Sequence, residues 1–236
     1  MKIEGSIALV TGANRGLGAA YARSLLDRGA AKVYAAVRRP ETVTDPRLIP
    51  VRLDLTDRAS IRAAADVAAD TTLLINNAGV STGASILGDE ARVRDELEIN
   101  YLGPLAVSRA FAPVLAENGG GALVNVLSVL SWIAFPDSGG YCAAKAAMWS
   151  ATNALRVTLA ENGTDVVAVH VGYMDTDMAA TVTAPKTAPD LVAQATLDAI
   201  EAGHHEVLAD EPSRQVRAAL AAPLSTLYPS LPATAA

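Results

Sequence analysis

The sequence predicts an α/β protein: a doubly wound, Rossmann-type parallel sheet of about seven strands with helices on both faces. Three observations predict it. Short apolar runs alternate with longer helical stretches along nearly the whole chain. The first apolar run ends in Thr11-Gly12-Ala13-Asn14-Arg15-Gly16-Leu17-Gly18, a glycine-rich turn leading into a helix. The 236 residues are 51% hydrophobic and 19% charged, and a chain of this length hides about 70% of its unfolded surface, enough for one large core.

The elements follow in order. Ile7 to Thr11 is an apolar strand stopped by Gly12, and small and apolar residues recur at helical spacing from Gly16 to Asp27. Lys32 to Val37 and Leu48 to Leu53 read as buried strands, and Asp57 to Ala69 as a helix capped by Thr56. Leu73 to Asn76 is a short strand. A long helical stretch, Glu90 to Glu117, is only mildly interrupted by Gly103-Pro104 and is ended by Gly119-Gly120-Gly121. Then come strand Ala122 to Leu127, helix Ser138 to Glu161, strand Asp165 to Val171, helix Pro189 to Ala202 and a closing strand, Glu206 to Leu208. Residues 1–222 read as a single domain. Pro223 to Ala236, rich in Pro, Ala, Ser and Thr, reads as a loosely packed tail that chemistry can do without.

Composition excludes several function classes. A formal net charge of −6 is wrong for nucleic acid, which needs clustered Lys and Arg; the nearest cluster is Arg38-Arg39. No apolar run reaches the roughly 20 residues of a membrane span, and Met1 to Gly5 lacks the anatomy of a signal peptide. No membrane association and residence in the cytoplasm are therefore expected. Cys142 is the sole cysteine, and His170, His204 and His205 are the only histidines, so neither a disulfide nor a structural metal site is expected.

Two motifs carry chemistry. Glycine takes positive φ and lets backbone approach a pyrophosphate, while the helix N-terminus offers unpaired N–H groups and a favourable dipole. A tight turn alone needs the same letters, but the position after the first strand of a βαβ pattern favours dinucleotide binding. Tyr141 and Lys145, four apart in Tyr-Cys-Ala-Ala-Lys, lie about one turn apart on one helix face. An ammonium beside a phenol favours the ionised form of the phenol and suits it to proton transfer. Taken alone, Tyr-x-x-x-Lys also describes an ordinary solvated helix face.

These motifs, with those around them, resemble the short-chain dehydrogenase/reductase family in its compact branch, Thr-Gly-x-x-x-Gly-x-Gly. Asn76-Asn77-Ala78-Gly79 closes the fourth strand, Asn100 sits in Glu98-Ile99-Asn100-Tyr101-Leu102-Gly103, Ser128 ends the fifth strand, and Gly172 and Thr176 match a later Pro-Gly-x-x-x-Thr element with Val171 in place of proline. The match runs from about Ile7 to Leu208. The resemblance implies that Tyr141 exchanges a proton with a carbonyl or alcohol oxygen, Lys145 anchors the nicotinamide ribose and lowers the Tyr141 pKa, Ser128 polarises the substrate oxygen, and Asn100 supports a proton relay. It implies cofactor contacts from Gly12, Asn14, Arg15, Gly16, Leu17, Gly18, Arg38, Asp54, Leu55, Asn76, Ala78, Gly79, Tyr141, Lys145, Val171, Gly172 and Thr176. Ser131 is an alternative to Ser128, and falls where it would line the pocket.

An acidic residue closing the second strand favours NAD, whereas an arginine there accommodates a 2′-phosphate. Here the strand ends Ala35-Ala36-Val37-Arg38-Arg39, and Arg38 offers a planar fork to a phosphate. The expected cofactor is NADP(H), with Arg15 as a second basic position. Asp54 resembles the family's adenine contact, and an Asp before a helix is also an ordinary capping neighbour. Val171 restores an N–H and freedom in φ where proline would stiffen the chain. Val129, Leu130, Trp132, Phe135 and the segment from Tyr173 to Met178, with a mobile lid up to Lys186, are expected to face a neutral ketone or aldehyde; Trp132 reads equally well as a packing residue. Asp175, Asp177, His204 and His205 read as solvated, and Cys142 as a small buried residue. The resemblance also implies a homodimer or homotetramer, with Phe111, Ala146, Met148 and Trp149 either forming its surface or facing the sheet. The rival readings are an NAD-dependent alcohol dehydrogenase and a non-catalytic NADP-binding regulator.

Overall fold

The computed structural model describes residues 1–231. Its strands are β1 Ile7–Thr11, β2 Lys32–Val37, β3 Ile49–Arg52, β4 Leu73–Asn76, β5 Gly121–Val126, β6 Thr164–His170 and β7 Glu206–Leu208. They form one sheet in the order β3-β2-β1-β4-β5-β6-β7, every neighbour parallel. The sheet is buried on both faces, so its strands read as continuous apolar runs. Alternate residues serve opposite cores. Ala8, Val10, Val33 and Ala35 pack against helices α1 (Gly16–Asp27) and α6 (Pro189–Glu201), through Tyr21, Leu25, Leu197 and Ile200. Leu9, Tyr34 and Leu123 pack against α2 (Arg58–Val67), α4 (Gly103–Glu117) and α5 (Gly139–Ala160), through Ile61, Phe111, Leu115 and Leu159. Each such aliphatic side chain contributes about 1.5–3 kcal/mol on burial.

Three elements differ from the sequence reading, each for a local reason. The α2 cap is Asp57, whose carboxylate accepts from the Ala59 and Ser60 N–H groups at 2.9 and 3.1 Å. Thr56 stands one residue before the cap position, and its own N–H and hydroxyl donate to Asp54 Oδ1 at 3.0 and 2.8 Å. The stretch expected as one helix from Glu90 to Glu117 divides into α3 (Glu90–Leu97), a π turn (Glu98–Leu102) and α4. Gly103 is pressed so close to Leu55 that a Cβ there would stand 2.7 Å from the Leu55 Cβ, and Pro104 occupies the first turn of α4, where a missing N–H is harmless. Beyond β7 the chain forms α7 (Glu211–Ala219) and α8 (Leu224–Leu227). The first residues of the expected tail are thus folded, and the Tyr228 hydroxyl accepts from the Ala134 N–H at 2.9 Å; residues 232–236 lie outside the described residues.

Among the described residues no helix is long and apolar enough to cross a membrane. The order reverses between β1 and β4, and in such sheets ligands sit in the crevice beyond the strand carboxyl ends at this switch point. The glycine turn, Asn76-Asn77-Ala78-Gly79, Ser128 and Gly172 all follow strand ends on this side.

Candidate active site

The glycine turn is built for an anion. Gly12 and Gly16 take positive φ of 69° and 53°. A Cβ on Gly18 would run into the Gly12 carbonyl oxygen, so only glycine lets α1 pack onto β1 here. Arg15 caps α1 with extended backbone and supplies no side-chain bond, which leaves the first N–H groups of the helix for a ligand. Asn14, Arg15 and Gly16 are exposed, whereas the Leu17 side chain is core; only the Leu17 backbone can serve a cofactor. Thr11 and Asn77 fasten this turn to β4. Thr11 Oγ1 accepts from the Asn77 and Ala78 N–H groups at 2.9 and 3.0 Å, and Asn77 Nδ2 donates to the Thr11 carbonyl at 2.8 Å. A pyrophosphate fits this cradle.

The adenosine side is basic and exposed. Arg38 and Arg39 follow β2 on the surface. The Thr56 N–H holds the Asp54 carboxyl below its usual range, helped by the Thr56 hydroxyl and by the charges of Arg38 and Arg52. Asp54 is thus partly committed to its own turn. Arg15, expected to be free for a phosphate, is ion-paired with Asp177 at 2.9 Å, both side chains largely exposed. Asn14 Nδ2 donates to Thr42 Oγ1 at 3.2 Å, tying the turn to the loop after β2. Asn76 is turned inward: its Nδ2 donates to Ser108 Oγ and Asn125 Oδ1, both at 2.9 Å. Counted among the cofactor contacts by sequence, its side chain serves the buried seam between β4, β5 and α4 instead.

Ser128, Tyr141 and Lys145 converge beside the end of β5. Ser128 Oγ accepts from the Leu130 N–H at 3.1 Å, which leaves its own proton free to donate. Ser131 is turned back to support it, Oγ accepting from the Ser128 N–H at 3.3 Å, and is 4% exposed, so it does not line the pocket. Burial pushes the Tyr141 phenol up to about 12, against a smaller opposing pull from the Ser128 hydroxyl. Lys145 Nζ donates to the Val126 carbonyl at 2.8 Å, sits 5.6 Å from the Tyr141 ring centroid, and is pulled down to about 8 by burial. The expected lowering of the phenol by Lys145 is not part of the balance here: the Ser128 hydroxyl is the group that lowers it, and desolvation dominates.

Asn100 lies in the π turn and is buried. Its Oδ1 accepts from the Val80 N–H at 3.0 Å, and its Nδ2 donates to the Val80 and Glu96 carbonyls at 2.9 and 3.0 Å. The side chain is thus taken up in pinning the loop after β4. Gly79 completes the fit: a Cβ there would stand 2.6 Å from Asn100 Oδ1. Glu96, which sequence reading missed, is fully buried and accepts from the Thr82 N–H at 2.6 Å and hydroxyl at 2.9 Å. Its other oxygen has no partner and packs against Gly140, one residue before Tyr141.

The far wall comes from β6 and the segment after it. Thr176 approaches the glycine turn, its Cγ2 3.2 Å from where a Gly16 Cβ would be. The expected lid is fastened at its base, where the Thr187 N–H donates to the Tyr173 carbonyl at 2.8 Å and the Asp175 N–H to the Thr187 carbonyl at 3.0 Å. Phe135, Tyr173 and Met178 are exposed apolar side chains. Of the two readings of Trp132 the packing one applies: it packs edge-on against Trp149, centroids 6.3 Å apart. Phe111 and Met148 are 0% and 2% exposed and face the sheet, so neither offers surface to a partner copy. Two more residues escaped sequence reading, His170 under Ser128 and Asp210 under Gly172; each is a lone polar residue near a strand end, and no spacing marks it.

A dinucleotide cradle at the switch point, next to a serine, tyrosine and lysine at the proton-transfer position, defines an oxidoreductase of the doubly wound α/β class. A family model described as short chain dehydrogenase matches residues 6–187, and the chain belongs to that family. It is 42% identical to a short chain dehydrogenase from Burkholderia cenocepacia J2315 solved in complex with NADP, with a TM-score of 0.94 over 98% of this chain and 100% of that one. It is 27% identical to the NADPH-bound carbonyl reductase from chicken fatty liver, TM-score 0.77, over 84% and 91% of the two chains. Over 187 residues it is 36% identical to the cis-4-hydroxycyclohexanecarboxylate dehydrogenase of Sinomonas cyclohexanicum, covering 74% of this chain and 75% of that one.

Proposed function

We propose that this short-chain oxidoreductase binds NADP(H) and reduces a neutral, largely apolar ketone or aldehyde to the alcohol, and that it runs in reverse as a secondary-alcohol dehydrogenase. The observation that carries the reading is the convergence of three side chains: Ser128 after β5, and Tyr141 and Lys145 one turn apart on α5, the buried Lys145 Nζ 5.6 Å from the Tyr141 ring centroid. The NADP complex of the Burkholderia relative supports the cofactor, as do exposed Arg38 and Arg39 and the lack of a carboxylate closing β2.

The glycine turn with Asn14 and Gly18 would hold the pyrophosphate, Arg38 the 2′-phosphate, Lys145 the nicotinamide ribose, and Gly172 and Thr176 the nicotinamide end. Bound NADPH supplies the hydride that the carbonyl carbon accepts. Ser128 donates a hydrogen bond to the carbonyl oxygen, where negative charge grows. Tyr141 delivers its proton to that oxygen, and Lys145 stabilises the phenolate left behind. The Asn100 turn keeps the approach to Lys145 open for proton resupply. The apolar rim of Phe135, Tyr173 and Met178 suits uncharged substrates, and the protein works in solution as a homodimer or homotetramer.

Incubation with NADPH or NADH and a panel of aromatic and aliphatic ketones, beside Tyr141→Phe, tests the reading. Consumption of NADPH that the phenylalanine variant lacks is expected. If no ketone consumes either cofactor faster than the variant does, the enzyme reading fails. Faster turnover with NADH would overturn the assignment of Arg38.

A further inference from the structure

Gly172 is held from an unexpected side. Asp210, between β7 and α7, accepts from the Gly172 N–H through Oδ2 at 2.6 Å and from the Ser213 N–H through Oδ1 at 2.9 Å. It is 8% exposed, and hydrogen bonds to an ionised acceptor are roughly twice as strong as neutral ones. The contact is built for glycine: a Cβ on Gly172 would stand 3.1 Å from Asp210 Oδ2. The preceding residues are held by the sheet, the Val129 N–H donating to the Val171 carbonyl at 3.0 Å and the Ala209 N–H to the His170 carbonyl at 2.9 Å. Among the described residues the Val171 N–H meets no backbone acceptor, and valine leaves φ free where proline would fix it. Val171 and Tyr173 are held through their carbonyls by the Val129 and Thr187 N–H groups; among the described residues the Gly172 peptide itself is hydrogen-bonded by the Asp210 carboxylate alone.

We infer that Asp210 is a positioning residue, which fixes the Val171-Gly172 backbone and so sets the wall of the cleft against which the nicotinamide half of NADP(H) is held. The inference rests on the cofactor reading above. The carboxylate touches neither substrate nor cofactor; it acts through the Gly172 peptide.

Asp210→Ser separates this role from the cap of α7, because serine is a good N-cap yet too short to reach Gly172. Two readouts apply: hydrogen exchange of the Gly172 amide in the ligand-free protein, and NADPH affinity by fluorescence titration. Exchange at least tenfold faster and a dissociation constant about tenfold weaker are expected, with kcat lowered less than KM for NADPH is raised. Adding Val171→Pro restores most of the affinity, since the ring stiffens the segment without needing an N–H. Asp210→Asn is the second variant if the serine form does not fold. Unchanged Gly172 exchange overturns the inference, as does a loss of affinity that follows melting temperature and is not recovered by Val171→Pro. Failure of the wild type to bind NADPH would sink the cofactor reading instead, and Gly172 exchange would still decide the role of Asp210.

Discussion

His170 lies flat against Trp132, ring centroids 3.7 Å apart and planes 17° from parallel, with Nδ1 3.2 Å from the Ser128 carbonyl oxygen. The carbonyl can only accept, so Nδ1 carries the proton of a neutral imidazole, and Nε2 is a buried lone pair with no hydrogen-bond partner among the described residues, the Glu206 carboxylate standing 3.9 Å away. Burial pulls this imidazole down to about 4, with Glu206 opposing and Arg217 and Arg156 assisting.

The unfolded chain binds that proton near pH 6.5, the folded chain only near 4, so the unfolded state gains it first as pH falls. Stability should therefore drop by about 3 kcal/mol between about pH 6.5 and 4. His170→Phe keeps the stacking and removes the titration. Urea midpoints at pH 7.5 and 5 should differ less in the variant than in the wild type; equal differences would show that other groups dominate.

Lys145 makes the same trade in a higher pH window. Its ammonium is charged up to about pH 8 in the fold and up to about 10.4 unfolded. The folded state thus bears the desolvated charge at neutral pH, and stability rises as pH climbs from about 8 to 10.4. Lys145→Met should be inactive yet about 1–2 kcal/mol more stable at pH 7, the Val126 carbonyl left behind offsetting part of the gain. Thermal melts check it, and a less stable variant would refute it.

Because the phenol holds its proton to about 12, reduction should need no ionisation of Tyr141 and should fade above about pH 8 as Lys145 loses its charge. Alcohol oxidation needs the phenolate and should rise with pH. Tyr141→Phe should lower both by roughly 10²–10⁴-fold. A reduction profile flat to pH 10 would count against the role given to Lys145.

Arg38 and Arg15 should rank differently. Arg38→Ala should weaken NADPH at least tenfold and spare NADH. Arg15→Ala should matter less, since Asp177 already engages that guanidinium. Asp177→Asn should tighten NADPH a few-fold at low salt only, because exposed pairs are screened. Titrations with both cofactors at two ionic strengths would expose the reverse order.

Tyr228 reaches back to the loop before α5. Truncation after residue 222 should raise KM for the ketone several-fold and leave NADPH affinity unchanged. An unchanged KM would return these residues to the status of a dispensable tail.

Much of this was legible because it follows from local chemistry. Strand ends are marked by runs of Val, Ile and Leu, and the glycine turn is marked by residues that only one backbone geometry requires. Ser128, Tyr141 and Lys145 were found by order and spacing. Asp57 displaced Thr56 as a cap because the helix begins one residue later than the apolar pattern suggests. Gly103, directly after the π turn, packs against Leu55, far away in sequence. Asp210 and His170 act across strands, on backbone groups that carry no letter in the sequence. Arg15 looked like a free cation because its partner stands 162 residues on.

The stitch between Thr11 and Asn77 has a mechanical reading. It joins the two strands on either side of the crevice by three bonds of 3.0 Å or less, so that the cleft cannot widen by parting its floor. On the 173–188 side, among the described residues, the turn meets a solvent-exposed ion pair and the Thr176 methyl, a far weaker tie than the floor. The floor is an anvil, and the freedom of the site is one-sided.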